Sequence, residues 1–146
     1  MDAIVESFRR DHREIEALLS ILERECDIFR KVGRPDYELM GEIIDHFWSF
    51  LDEYYHPKEN VVLNLPRIRN GLCGDIVCNI AKERAPAATS LQTLDDCLRD
   101  ILDDQRVLRQ AFDDGARDFI QHQRRQIRIE EQQLFPALLS ILTPAD

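Results

Sequence analysis

The sequence predicts an all-α protein that folds as an up-down-up-down four-helix bundle. Apolar residues recur at intervals of three and four along four long stretches, and short segments containing glycine, proline or asparagine separate these stretches. No stretch alternates apolar and polar residues as a half-buried strand does. The chain has 146 residues, 44% of them hydrophobic, which is enough to bury one core, so we expect a single domain over 1–146.

The first two helices are predicted on either side of a short break. The first pattern covers 2–31, and a glycine and a proline follow it as helix terminators. Asp36 is placed to cap the second pattern, which extends to the stop at Pro66. Pro57 lies inside this second pattern, where a proline removes one backbone donor and is expected to kink the helix.

The third and fourth helices are predicted from the second half of the chain. The connection to the third helix falls at 67–74, a segment with two glycines and an asparagine. The third pattern then carries an expected break at Pro86. The Asp-Asp-Gly sequence at 113–115 predicts a tight turn before the fourth pattern, which reaches about residue 141 with a kink expected at Pro136.

The charge and the cysteines of the chain exclude several classes of protein. There are 19 Lys and Arg residues against 28 Asp and Glu residues, a formal net charge of −9, whereas nucleic acids and anionic membranes attract clustered cations. No apolar run approaches the roughly 20 residues that cross a bilayer, and the first residues are too charged for a signal peptide. The cysteines lack CxxC spacing. We therefore expect a cytoplasmic protein without a nucleic-acid or membrane partner.

Two stretches of opposite charge bear on self-association. The acidic stretch comprises Asp95, Asp96, Asp100, Asp103 and Asp104. The basic stretch comprises Arg117, Arg124, Arg125 and Arg128. Each is typical of a solvated helix face, but the two stretches could also pair across a two-fold homodimer, the commonest symmetry of homo-oligomers.

Polar residues also occur on helix faces that should be apolar. They are His12 in the first helix, Tyr55 and Glu59 in the second, Arg84 in the third, and Gln126, Glu130 and Glu131 in the fourth. A buried carboxylate is costly unless a cation or a proton neutralises it. Glu59 together with Glu130 or Glu131 therefore requires a metal ion, an arginine or raised pKa values.

Three blocks of sequence carry a family resemblance. They are FRRDHREIEALLSILE at 8–23, YYHPKEN at 54–60 and RRQIRIEEQQLFP at 124–136. In these blocks the chain resembles the bacterial hemerythrin-like family, the HHE cation-binding domains. The resemblance implies a four-helix bundle that binds a non-haem di-iron centre and acts in oxygen, nitric oxide or iron sensing, storage or repair. It also implies an iron-ligand histidine at His12, a bridging carboxylate at Glu59 and a second carboxylate ligand at Glu130 or Glu131.

Three positions depart from the family pattern. Tyr55 stands where the family block HHPKED has its first histidine, Arg84 where the third helix has the histidine of an EH pair, and Gln126 where RRHM has its histidine. His56, the second histidine of the HH pair, remains as an auxiliary candidate. The replacements remove metal-binding nitrogens, and the one at residue 84 inserts a fixed positive charge.

Two functions remain open from the sequence. In the first, the bundle is metal-free and has no cofactor, because Arg84 grips Glu59 and the fourth-helix Glu while Tyr55 and Gln126 complete the hydrogen bonds. Such a chain is a regulatory, signalling or protein-interaction module, with a protein partner or as a homodimer.

In the alternative, the chain binds non-haem iron or another divalent metal through His12, Glu59, Tyr55 as tyrosinate, and Glu130 or Glu131. It then acts in oxygen, nitric oxide or iron sensing, or in a stress response. The chain has no GxSxG, P-loop, HExxH or GxGxxG motif, so we do not expect an enzyme.

Overall fold

The helical patterns of the sequence form long helices in the structure, a computed structural model that describes residues 2–31, 33–69, 74–103 and 109–141. In chain order the elements are α1 (Asp2–Arg30), α2 (Tyr37–Ser49), the π-helical segment π1 (Phe50–Tyr55), α3 (His56–Leu63), α4 (Pro66–Arg69), α5 (Gly74–Leu102), α6 (Arg109–Ile129), the π-helical segment π2 (Glu130–Leu134) and α7 (Phe135–Ile141). Because α2, π1 and α3 are continuous, as are α6, π2 and α7, the described elements form four long rods and the short α4. The predicted fold class, an all-α four-helix bundle, is confirmed.

Neighbouring rods run antiparallel. At one end of α1, His12 contacts Glu131, and at the other end Arg30 pairs with Asp113 at 2.7 Å, so α1 and the rod that begins with α6 point in opposite directions. Contacts along the other three pairs of adjacent rods show that these pairs are also antiparallel. Since α1 packs against α2 and α6, and α5 packs against the same two helices, the bundle is closed.

The interior of the bundle is filled by large apolar side chains from all four rods. The largest are the fully buried rings of Phe8, Phe47, Phe112, Phe119 and Phe135. Full burial of one such side chain contributes about 1.5–3 kcal/mol, so these rings hold the rods in fixed positions around the polar residues between them. Within the described residues, none of the helices has an apolar stretch that would span a bilayer.

Each π-helical segment ends two residues before a proline. π1 precedes Pro57 and π2 precedes Pro136. Each segment closes with a backbone hydrogen bond that spans five residues, from His56 to Leu51 and from Phe135 to Glu130. Proline cannot donate to the preceding turn, and a widened turn absorbs this local loss of the usual ladder. The disturbances expected at the two prolines therefore take the form of π turns, and both turns carry polar residues of the bundle interior.

Two sequence predictions about the second half of the chain are wrong. α5 continues through Pro86 without a break, because packing against the neighbouring rods on both sides outweighs one lost hydrogen bond. The turn expected at 113–115 is part of α6. A Cβ atom at Gly115 would lie 3.3 Å from the backbone nitrogen of Leu94, so this glycine permits a close approach between helices. Residues 104–108, between α5 and α6, lie outside the described residues.

The predictions for the helix ends have different outcomes. The side chain of Asp36 accepts a hydrogen bond from the backbone nitrogen of Leu39 at 3.0 Å, so the predicted N-cap of α2 is confirmed. The connection predicted at 67–74 contains most of α4, and 70–73 lie outside the described residues. Among the cysteines, Cys26 and Cys97 are buried and Cys78 is exposed.

Candidate functional site

Five polar side chains from three rods are buried together in the bundle. We call them, with Arg84, the buried polar network: His12, Tyr55, Glu59, Arg84, Gln126 and Glu130. The five other than Arg84 are at most 4% exposed. The Arg84 side chain reaches the network from α5 and keeps 24% of its surface exposed. All four rods therefore contribute to one polar cluster surrounded by apolar core.

One part of the network joins α1 to π1 and π2. The Nε2 atom of His12 lies 2.5 Å from Oε2 of Glu130 and 2.7 Å from the hydroxyl of Tyr55. The Tyr55 hydroxyl donates a hydrogen bond to the same oxygen of Glu130. On the other side of the ring, His12 Nδ1 lies 2.7 Å from Oε1 of Glu131. Both ring nitrogens of His12 are therefore occupied by side-chain contacts.

The other part of the network is centred on Glu59, which has no exposed surface. Arg84 donates from Nη2 to Oε1 of Glu59 and from Nη1 to Oδ1 of Asn60, the second contact at 2.8 Å. The amide nitrogen of Gln126 lies 3.3 Å from Oε2 of Glu59 and 3.4 Å from Oε1 of Glu130, so it bridges the two carboxyl groups. Arg84 thus supplies a full positive charge to a buried carboxylate.

Burial controls the protonation of the two carboxyl groups. It raises the pKa of Glu59 well above its usual value, and the neighbouring Glu130 raises it further, while Arg84 opposes the shift. Burial also raises the pKa of Glu130, although hydrogen bonds from Tyr55 and Gln126 partly offset this. The pair therefore retains a proton at pH values where exposed carboxyl groups are fully ionised.

Burial also keeps His12 and Tyr55 of the network in their neutral forms. Burial lowers the pKa of His12, against the opposing effect of Glu131. Burial raises the pKa of Tyr55 well above its usual value, and the charges of Glu130 and Glu59 raise it further. Tyr55 is therefore a protonated phenol that donates to Glu130 in this network.

The choice between Glu130 and Glu131, open from the sequence, is resolved by their positions. Glu130 is 1% exposed and faces the network, whereas Glu131 keeps 33% of its side chain exposed at the rim. Glu131 contacts His12 from outside and accepts a long hydrogen bond from Nε of Arg9 at 3.4 Å. His56 lies outside the network, with Nδ1 4.0 Å from a carboxylate oxygen of Asp52.

The network includes contacts that the sequence interpretation did not contain. Arg84 was expected to grip a carboxylate of the fourth helix, but its second acceptor is Asn60. Asn60 directly follows Glu59 in YYHPKEN, and this adjacency is the signal that could have found it. Glu83, the residue before Arg84, instead contacts Nδ1 of His122 at 2.7 Å.

A largely buried ion pair, Lys58 with Asp11, fastens two helices that carry the network. Lys58, next to Glu59, donates to Asp11 of α1 at 2.7 Å, and its Nζ lies 4.6 Å from the ring centre of Phe8. Lys58 also donates to Ser7. These contacts connect α3 to α1 and so fix the position of Glu59 relative to His12.

The donor set does not fit a metal centre. Among the described residues, no three His, Cys, Asp or Glu side chains are grouped so that they would hold a metal ion. His12 has neighbours at both ring nitrogens, and the guanidinium of Arg84 lies on the carboxylate of Glu59. A cation bound to Glu59 would be repelled by this guanidinium. The arrangement suits a hydrogen-bond network, in which only Nε of Arg84 and Oε1 of Gln126 lack a partner among the described residues.

Among the comparisons with known proteins, the comparison with family models gave a match. A family model described as the hemerythrin HHE cation binding domain matches residues 3–138, most of the chain. Comparisons with curated proteins and with solved structures gave no match. The matched range contains every residue of the buried polar network.

Proposed function

The chain belongs to the hemerythrin HHE cation-binding domain family, and from this premise we propose that it is a metal-free regulatory or protein-interaction module in which Arg84 takes the place of the cation. In this function the bundle keeps the fold of the family and a closed interior. The module is not catalytic, and it acts through its surface.

The observation that carries the proposal is the hydrogen bond from Arg84 to the fully buried Glu59. A guanidinium stays charged at every pH that a folded protein meets. Two like unit charges 4 Å apart repel by about 4 kcal/mol at an effective dielectric constant of 20, and a divalent ion doubles this. A metal ion at Glu59 would therefore have to displace Arg84 before it could bind.

The two other replacements support the same function. Tyr55 and Gln126 are neutral, and each donates a hydrogen bond to a carboxyl group of the network. The carboxyl groups, the phenol and both ring nitrogens of His12 thus have partners inside the protein. No side chain of this set is left as an uncommitted base or nucleophile, which supports a role without catalysis.

Ion pairs within the chain favour a different protein over a second copy as the partner. Three arginines of the basic stretch already pair within the chain: Arg117 with Asp113 at 2.9 Å, Arg124 with Glu23 at 2.7 Å, and Arg125 with Glu83 at 3.2 Å. Their charges are thereby largely neutralised, which weakens the pairing of the basic and acidic stretches across a homodimer. Asp104 of the acidic stretch lies outside the described residues. Light scattering on the purified protein measures the oligomeric state.

Metal content is the direct test of the proposal. Tag-free protein from iron-supplemented medium should contain negligible iron, manganese or zinc by elemental analysis. Near-stoichiometric metal that disappears in the His12→Ala, Glu59→Ala double variant would overturn the proposal and establish the altered-site cation-binding protein instead. Metal that persists in that variant is bound elsewhere and leaves the assignment of Arg84 intact.

A further inference from the structure

A row of aromatic rings lies on the surface of the second rod, which is formed by α2, π1 and α3. The ring of His46 stacks on that of Phe50 with centroids 5.5 Å apart, and Phe50 contacts the ring of Tyr54 at 5.2 Å. Phe50 is partly exposed and Tyr54 is 44% exposed. About two turns further along the rod, Val61 is 68% exposed. We call these four residues the exposed ladder.

The exposed ladder follows the junction between the second rod and α1. The Nε2 atom of His46 lies 3.4 Å from a carboxylate oxygen of Glu14, and the hydroxyl of Tyr54 donates to Asp11 at 3.4 Å. Both of these carboxylates belong to α1. From His46 to Val61 the ladder extends about 22 Å, at about 1.5 Å per residue, which is the length of about four helical turns. A helix from outside can pack along such a junction.

The exposed carboxylates of the second rod are not neutralised within the rod. Residues 37–63 include six acidic side chains and one basic side chain, Lys58, which is committed to an ion pair with α1. Glu38, Glu42 and Glu53 are exposed and form no ion pair within the part of the chain that the structure describes. Glu38 and Glu42 are one turn apart, a spacing at which like charges destabilise a helix. The second rod therefore carries uncompensated negative charge next to apolar surface.

Partly exposed carboxylates on the other side of α1 are paired. Glu16 lies 3.0 Å and Glu23 2.7 Å from the guanidinium of Arg124, which joins α1 to α6. The chain thus neutralises that side of α1 with its own arginine. On the second rod the matching cations must come from outside the chain.

We infer that the exposed ladder docks a basic amphipathic helix of a different protein. Apolar side chains of that helix pack on Phe50, Tyr54 and Val61, and its cationic side chains pair with Glu42 and Glu53. Arginine suits this surface because its guanidinium stacks on aromatic rings and also binds carboxylates. The inference rests on the proposed protein-interaction function and names the class of partner.

The combination of charge and apolar surface selects this partner over others. A small cation would pair with the carboxylates but would leave the apolar side chains of the exposed ladder in water. An acidic partner would be repelled. A second copy of the chain is a poor match, because Arg117, Arg124 and Arg125 are already paired within their own chain.

Binding of a synthetic peptide to the intact protein tests the inference. The probe is a fluorescently labelled helical peptide of about four turns, with leucines along one face and arginines on both sides of that face. Two matched peptides replace either the arginines by glutamate or the leucines by glutamine. Anisotropy is measured at about 0.15 M salt, which screens charges more than about 8 Å apart. We expect saturable binding of the first peptide in the micromolar range and at least about tenfold weaker binding of the other two, equivalent to about 1.4 kcal/mol.

Two variants and one control locate the binding. Glu42→Lys together with Glu53→Lys reverses two exposed charges of the second rod and should weaken binding of the basic peptide at least about tenfold. The matched control is Asp114→Lys together with Asp118→Lys, which makes the same change in net charge at two exposed positions of α6. This control should bind the peptide like the wild type. Tyr54→Ala removes one exposed ring of the ladder and should also weaken binding.

Three results would overturn the inference: no saturable binding of the basic peptide, equal binding of the peptide without leucines, or equal loss of binding in the two charge-reversal variants. A dimer that dissociates in the Glu42→Lys, Glu53→Lys variant, measured by light scattering, would assign the exposed ladder to a second copy and would also overturn it. None of these results depends on metal content, and none of the variants changes the buried polar network. Failure of the docking surface and failure of the metal-free function are therefore separate outcomes.

Discussion

The guanidinium of Arg84 donates a hydrogen bond to the carboxylate of Glu59, which has no exposed surface. This pair joins α5 to α3 at the centre of the buried polar network. Breaking a buried pair is far more destabilising than replacing both members, because the remaining charge has lost its partner. The pair therefore contributes to the stability of the bundle, and under the proposed function the same contact keeps a cation away from Glu59.

Arg84→Ala should lower the free energy of unfolding at neutral pH by about 3 kcal/mol. Glu59 would then lack its cation, and it can recover part of the loss by taking up a proton. Urea denaturation of the purified variant measures the change. The double variant Arg84→Ala, Glu59→Gln should recover part of the lost stability, since no unpaired charge remains.

The matched control for this experiment is Arg99→Ala on the same helix. Arg99 pairs with Asp95 at 3.3 Å and keeps 69% of its side chain exposed. The guanidinium of Arg99 lies mostly in water although Asp95 keeps only 9% of its side chain exposed, so this variant should lose much less stability than Arg84→Ala. A loss at Arg84 no greater than the loss at Arg99 would mean that the interior carboxylate does not depend on the arginine.

The helical rods can be predicted from the sequence because each buries a continuous apolar stripe. Asp36 adds a local signal, since an N-cap acts through its own helix. The predicted break at Pro86 and turn at 113–115 fail for another reason. At both places the packing of α5 against α6 decides the backbone, and such packing depends on residues far apart in the chain.

The sequence likewise predicts only some of the contacts of the buried polar network. His12 and Glu59 interrupt apolar stripes, so their inward positions follow from helical spacing. Glu130 lies four residues after Gln126 and contacts it within the network, so ordinary helical spacing favours Glu130 over Glu131 once Gln126 is known to face inward. The acceptors of Arg84 depend on how α3 lies beside α5, and helical spacing does not contain that information.

The shared proton of Glu59 and Glu130 predicts a pH dependence. Both folded pKa values lie above the ordinary value of 4.5, so the folded protein holds more protons than the unfolded chain above that pH. The stability that the pair contributes is complete below pH 4.5 and is lost as pH rises through the folded pKa values. The wild type should therefore lose stability as the pH rises above 4.5, and Glu130→Gln should lose less.

Urea denaturation across this pH range measures the effect, and the histidines act in the opposite direction. Burial lowers the pKa of His12 and of His56 below 6.5, so their contribution to stability is lost as pH falls and is complete above 6.5. His56 titrates in both proteins and cancels in the difference between the two profiles. Parallel profiles for wild type and Glu130→Gln would show that no proton is retained by the pair.

The hydroxyl of Tyr55 provides a test of the contacts to Glu130. Tyr55→Phe removes the donor to Glu130 and the neighbour of His12 Nε2 without changing the ring, so it should lower the free energy of unfolding by about 1.5–3 kcal/mol. Tyr54→Phe is the matched control, because Tyr54 is the adjacent residue and is 44% exposed. Urea denaturation should show a clear loss in the free energy of unfolding for Tyr55→Phe only. Equal losses in the two variants would contradict the buried hydrogen bond of Tyr55.

Two buried glutamines, three residues apart on α6, should respond in opposite ways to the same substitution. Gln126 donates to Glu59 and Glu130, so Gln126→Leu leaves two buried carboxyl groups short of a donor and should cost about 1–3 kcal/mol. The amide of Gln123 has no partner among the described residues, so Gln123→Leu should raise the free energy of unfolding by about 1 kcal/mol. Urea denaturation of both variants under one set of conditions measures the two signs. Destabilisation by both would mean that Gln123 has a structural partner, such as a firmly held water, and that its amide stabilises the fold.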